Sequence, residues 1–268
     1  MWPTHPAARW IKGHARSIMP RYHCTVLAAL LVLAPVRATT MPAGAVLDFD
    51  VISARQAVSQ FEELARRAEE RGTLPRIADP VAGPALRAIW NPGLVASGRS
   101  FTRSHGVALA GLCQAGGLTV FRYVTFRANG FEDPAVAGNF MMFQTEIAEG
   151  MDFTLRCSAA MLEVASNVLR DTSPERLTEA MKADVDRVRQ GVVQNVTGAF
   201  RLVREGYLRA AAVKRLGLAL RESIGRLSGS LQPDDRRNLA VEARSLLANA
   251  DPSVRADLEA FAKAMDPG

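Results

Sequence analysis

Glu146, Glu149 and Asp152 recur at three-residue steps, the one carboxylate run close to the apolar centre of this chain. Side chains three apart on an α-helix are surface neighbours, so the three share roughly one face. Carboxylates grouped in that way can bind a hard cation through oxygen or divide acid and base roles. A di-iron centre of the bundle type is excluded, because it needs Glu-x-x-His on two helices and His105 is the only histidine beyond residue 38. The plainer reading of the run is the solvated face of an amphipathic helix.

His105 follows Ser104 in FTRSHGVAL, and sequence neighbours do not face each other on a helix. No G-x-S-x-G string is present, so a Ser-His-Asp triad has no support. His105 reads instead as a helix-start residue in a polar turn. Met141, Met142, Met151 and Met161 interleave with Phe140, Phe143 and Phe153. Thioethers and rings of this kind can line a soft pocket for a lipid or another apolar molecule, with Phe140, Met151 and Phe153 as its expected ligand-binding residues. They can also be plain core. Thioethers can favour Cu(I) as well, but Met141 and Met142 are adjacent and point in different directions. No metal or cofactor is expected. Arg122 and Arg127 interrupt the apolar run LTVFRYVTFR, residues 118–127. They are expected to pair with Glu146 or Glu149 across a hairpin, or else to form an anion site at the bundle edge. Asn195 opens an N-x-T sequon.

The N-terminus changes the charge. Residues 25–35 form an uncharged apolar run, too short to span a bilayer, which takes about 20 residues. Arg9, Lys12, Arg16 and Arg21 precede it, and the small-residue exit Val36-Arg37-Ala38 follows. This is the pattern of a Sec-type signal peptide over residues 1–38, with Met19 as a second candidate start. The leader holds five of the 33 basic residues and no acid, so 28 basic residues remain against 27 acidic ones. The mature chain is close to neutral, which removes the basic surface that a nucleic-acid partner requires. The expected location is the periplasm or the medium, with no transmembrane helix in the mature chain. Cys113 and Cys157 are the cysteines left after the leader. In an oxidising compartment they read as one disulfide.

The elements that must position these groups are helical. An extended segment is expected at 39–52, then a single helical domain at 53–268 with a Pro/Gly-rich connector at 73–98. Ser53 and Gln56 have the spacing of a capping box, with Ala57, Phe61, Leu64 and Ala68 on one face behind them. Residues 118–127 have strand-like composition, but no second strand is evident to pair with them, so a helix is expected. One long helix is predicted over 134–170, antiparallel to the segment before it, which brings Cys113 and Cys157 together. Ser173-Pro174-Glu175 predicts the next start. The stripe from Leu177 to Tyr207 has a mean step above the heptad value of about 3.5, which disfavours a left-handed coiled coil. Pro233 and Asp251-Pro252 open the last two helices. The fold class predicted is an all-α, irregular bundle of about six to eight helices. The function expected is that of an exported protein acting by protein–protein contacts without catalysis. The alternatives are a module holding a lipid or other apolar molecule, and an enzyme using Glu146, Glu149 or Asp152.

Overall fold

The computed structural model describes residues 51–266. The leader at 1–38 and nearly all of the segment at 39–52 lie outside the described residues. Nine α-helices and no strand occur among the described residues. They are α1 (Val51–Glu69), α2 (Ala82–Ile89), α3 (Gly106–Val124), α4 (Ala135–Met142), α5 (Gln144–Asp171), α6 (Glu179–Glu205), α7 (Ala210–Ser230), α8 (Pro233–Leu247) and α9 (Pro252–Met265). The all-α expectation holds. The short helix expected in the connector from Pro84 forms as α2, and the number exceeds the upper end of six to eight because the predicted 134–170 helix divides into two.

That division falls at Phe143, between α4 and α5. The Phe143 ring is fully buried, edge-on to Tyr123 and Phe126. Arg76 donates to the Met142 carbonyl and lies over the same ring. Helical spacing through this stretch is unbroken in the sequence; contacts from distant residues turn the backbone there. The next start is displaced in a similar way. Ser173, Pro174 and Glu175 open only a 3-10 turn, Pro174–Arg176, and Thr178 caps α6 by accepting from the Met181 N–H at 3.2 Å. At the other end of α6, Gly206 takes a left-handed φ of 70°, which glycine adopts at no steric cost. α1 is already helical at Val51. Ser53 therefore stands inside the helix and not at its cap, and the extended reading of 39–52 fails at its last two residues.

Helices α3 and α5 form the centre of the bundle. Val164 lies against Gly106, Phe153 against Gly116, and Val120 against Gly150. Numbers rise along α3 as they fall along α5, so the pair is antiparallel and in register over most of α3. A Cβ on Gly116 would sit 2.5 Å from the Phe153 ring, and one on Gly150 would sit 2.2 Å from Val120 and 2.8 Å from Trp90. Neither glycine breaks its helix; each lets a neighbouring side chain approach the backbone. The register delivers Cys113 to Cys157, whose Cα atoms are 5.5 Å apart and whose sulfurs form a disulfide. Arg103–Val124 is the one stretch among the described residues long and apolar enough to cross a membrane by length and composition, and 56% of its apolar 18-residue window is buried inside the bundle. It serves here as a core helix, with α5 along one side.

Apolar side chains from all nine helices join in one core. Polar groups finish the helix ends within it. Asn139 of α4 donates to the carbonyls of Val124 and Phe126 at 2.9 and 2.8 Å, closing the C-terminus of α3. The Trp90 indole donates to Gly116, and the Tyr123 hydroxyl to Pro75. Burial pushes the Tyr123 phenol well above its ordinary range, so it stays a donor.

Candidate functional site

The three carboxylates of α5 do share a face, but it is not a solvated one. Glu146 and Asp152 are each 3% exposed, and Glu149 is partly buried. Such groups are costly to desolvate unless paired, and the surrounding elements supply the partners. The connector brings Arg76, which donates to Glu146 at 3.2 Å while the Ile77 N–H donates to its other oxygen at 3.0 Å. α7 brings Arg215, whose Nη1 lies 2.7 Å from Glu149 and 3.2 Å from Asp152. Arg156, one turn along α5, pairs with Asp152 and also with Glu222 of α7. A chain of opposite charges thus runs from the connector, along α5, to α7.

Burial is the leading cause that pushes the Glu149 carboxyl above the ordinary glutamate range; Arg215 opposes it and Asp152 adds to it. This is a carboxylate with reduced preference for its charged form, the property a general acid or base needs. Every carboxylate of the run is nevertheless occupied by a guanidinium or a backbone N–H. Among the described residues no group of three or more His, Cys, Asp or Glu is placed to hold a metal ion. The arrangement straps α7 and the connector onto α5.

Other sequence-selected residues lie elsewhere. Arg122 bonds Glu69 at 2.9 Å and also Glu62, both on α1, and not Glu146 or Glu149. Its position explains this: it is two residues from Val120, about 200° round the helix, so it faces away from α5. Arg127 lies over the Phe126 ring and beside Gly72, with a φ of 54°. An open groove of about 510 Å³ lies beside Arg122, lined by Val58, Ser59, Glu62, Glu63 and Arg66. None of Phe140, Met151 and Phe153 lines it. Those three are buried among protein atoms: Phe140 stacks on Tyr207, and Phe153 rests on Gly116. Met141 and Met142, by contrast, are 57% and 52% exposed at the end of α4 and belong to no interior. His105 sits in the turn before α3, where its Nδ1 accepts from the Thr102 N–H at 2.9 Å. Asn195 donates to Ser158 within the α5–α6 contact.

Arg226 is absent from the sequence-selected residues. On α7 it is nearly buried, bonds Glu163, and donates to the carbonyls of Val95, Ala96 and Arg99 while lying over Phe101. Nothing distinguishes it from other arginines in the sequence, because its partners are more than 60 residues away.

A different feature concerns the far end of α5. Buried residues of α5 stop at Ala165, and those of α6 begin only at Val192. Between them, most of the hairpin of residues 166–191 extends beyond the packed core, which it meets at Val188. Val168, Leu169, Leu177, Met181 and Val185 are all only partly buried there and stand outside the main apolar cluster. Five basic and five acidic side chains accompany them, so the tip carries no net charge. No family model, no curated protein and no solved structure matches this chain.

Proposed function

We propose that this chain is an exported helical protein that acts by contact with another protein, and that the α5–α6 hairpin tip is its contact face. The observation that carries this reading is the half-covered apolar set Leu177, Met181 and Val185, which stands outside the main apolar cluster on a hairpin whose α6 side first meets that cluster at Val188. Met181 and Val185 lie one turn apart on α6, with Leu177 just before its cap Thr178, and helices offer such turn-spaced apolar residues to partners as anchors. The balanced charge of the tip favours a protein partner over a nucleic acid or an anionic membrane, each of which selects a basic surface. The leader at 1–38 supports export. The Cys113–Cys157 bridge fits an oxidising compartment.

The test is photo-crosslinking in cells that express the chain from its own leader. A photoreactive residue at Met181 is expected to yield an adduct of one defined mass. That adduct should vanish in a Leu177→Asp/Val185→Asp background with an unchanged circular dichroism melt. No adduct at Met181, or the same adduct from a probe at exposed Val241, overturns the assignment. Mass spectrometry of the purified chain tests export: a mature N-terminus near Thr39 is expected, and retention of the first forty residues refutes it.

A further inference from the structure

Met141 and Met142 close α4 and are both more than half exposed. The other large apolar side chains exposed among the described residues, Val81, Leu118, Leu218 and Val241, stand singly along the chain. The last carbonyls of a helix have no partner within it, yet both methionine carbonyls are met by protein here. Arg76 donates to that of Met142, and the Gln144 amide to that of Met141 at 3.3 Å. The same Gln144 side chain accepts from the Arg209 N–H at 3.1 Å, which fixes the α6–α7 turn beside the corner. The cations around the corner face outward. The Arg76 and Arg215 side chains are each 40% exposed, while the carboxylates they bind, Glu146, Glu149 and Asp152, are 3%, 23% and 5% exposed. Arg209 is exposed and forms no ion pair among the described residues. The charges of its turn are Arg204, Glu205 and Arg209, a net positive set. The corner thus presents two thioether side chains flanked by guanidinium groups.

We propose that this corner is a membrane-contact site: Met141 and Met142 enter the headgroup edge of an anionic phospholipid bilayer, and Arg76, Arg209 and Arg215 pair with its phosphates. Binding of a peripheral surface grows with the apolar area it inserts and with its attraction to anionic lipid, and the planar fork of arginine suits phosphate. Methionine side chains are unbranched and adapt to a fluid surface. Polar backbone enters hydrocarbon only with a partner, and the bonds from Arg76 and Gln144 supply one to each methionine carbonyl. An acidic protein segment would meet the same charges, but a projecting helix corner gives it no cleft; an open groove lies on α1 instead, lined by Val58 and Glu62. α5 starts at this corner and runs 28 residues to the α5–α6 hairpin, about 40 Å at 1.5 Å per residue. The site is therefore separate from the hairpin tip and does not depend on its role; lipid at one end leaves the other free in solution.

Photo-crosslinking on vesicles of phosphatidylglycerol and phosphatidylcholine in equal parts reads the contact at the residue. A photoreactive residue at Met142 should yield an adduct with the mass of one phospholipid, and the same probe at exposed Val241 should yield none. Flotation with those vesicles should weaken roughly tenfold or more in Met141→Asp/Met142→Asp and several-fold in Arg209→Gln, each with an unchanged circular dichroism melt. Vesicles of phosphatidylcholine alone should not carry the chain. No lipid adduct at Met142, an equal one at Val241, or undiminished flotation of the double methionine variant overturns the proposal. So does a Met142 adduct in cells that has the mass of a protein and none of lipid, which would make the corner a docking face for an acidic partner.

Discussion

At the scale of single residues, burial gives Gly150 and Arg226 their importance. A Cβ on Gly150 would overlap Val120 and the Trp90 ring. Neither neighbour is a flexible chain end that can swing aside. Gly150→Ala should cost about 1–3 kcal/mol, the usual range for overpacking a core, read as a lower urea midpoint. The same substitution at Gly191, where nothing approaches within 4 Å, should stabilise α6 by up to about 1 kcal/mol through helix propensity. Arg226→Met removes a nearly buried cation from Glu163 and from three carbonyls. A loss of about 2–3 kcal/mol is expected from leaving those acceptors without their charged donor. Faster exchange or proteolysis around residues 95–99 would show where it falls. The α5 carboxylates were legible as a row on one face, since a three-residue step requires that. Their burial was not, because the arginines that make it tolerable come from residues 76 and 215.

At the scale of elements, the chain reveals most helix starts through local chemistry and misplaces those where two signals compete. Ser173, Pro174 and Glu175 are the residues of a start, and they do close a turn, with the Glu175 carboxyl held low by its own backbone N–H and by Ser173. The α-helix begins at the second signal, Thr178. Thr178→Ala should therefore destabilise by about 1 kcal/mol, the typical value of an N-cap side chain, and Ser173→Ala by less; thermal melts of the two variants decide between them. The break at Phe143 is of another kind. It depends on Tyr123, Phe126 and Arg76, none of which a local reading of residues 134–170 includes. Residues 118–127 have the β-branched and aromatic composition of a strand, but the helix expected from the lack of a pairing strand is what forms, through Val124, with α5 along one side.

At the scale of the whole molecule, the disulfide and the surface carboxylates set the response to conditions. The bridge closes a separation of 44 residues, so its removal in Cys113→Ala/Cys157→Ala should lower stability by about 4 kcal/mol in the chain-entropy account and by less where the unfolded chain stays compact. Denaturant unfolding with and without reductant measures this. Acid should weaken the fold. Glu63, held low by Arg66 and Arg67, Asp79 and Asp133, held low by N–H groups beside them, and Asp251, held low by the Ser253 hydroxyl and then its N–H, lend stability above the ordinary carboxylate range. That stability is lost as pH falls through their depressed values. The sequence by itself determined the helical class, the pairing of Cys113 with Cys157 and the shared face of three carboxylates. Each follows from spacing along one chain segment or from the count of available partners. Only the tertiary structure decided that those carboxylates are buried and bound, that Arg122 turns to α1, and that the α5–α6 tip stays half uncovered. Burial and charge compensation depend on which distant surfaces meet, and local periodicity gives the direction a side chain faces but not what lies opposite it.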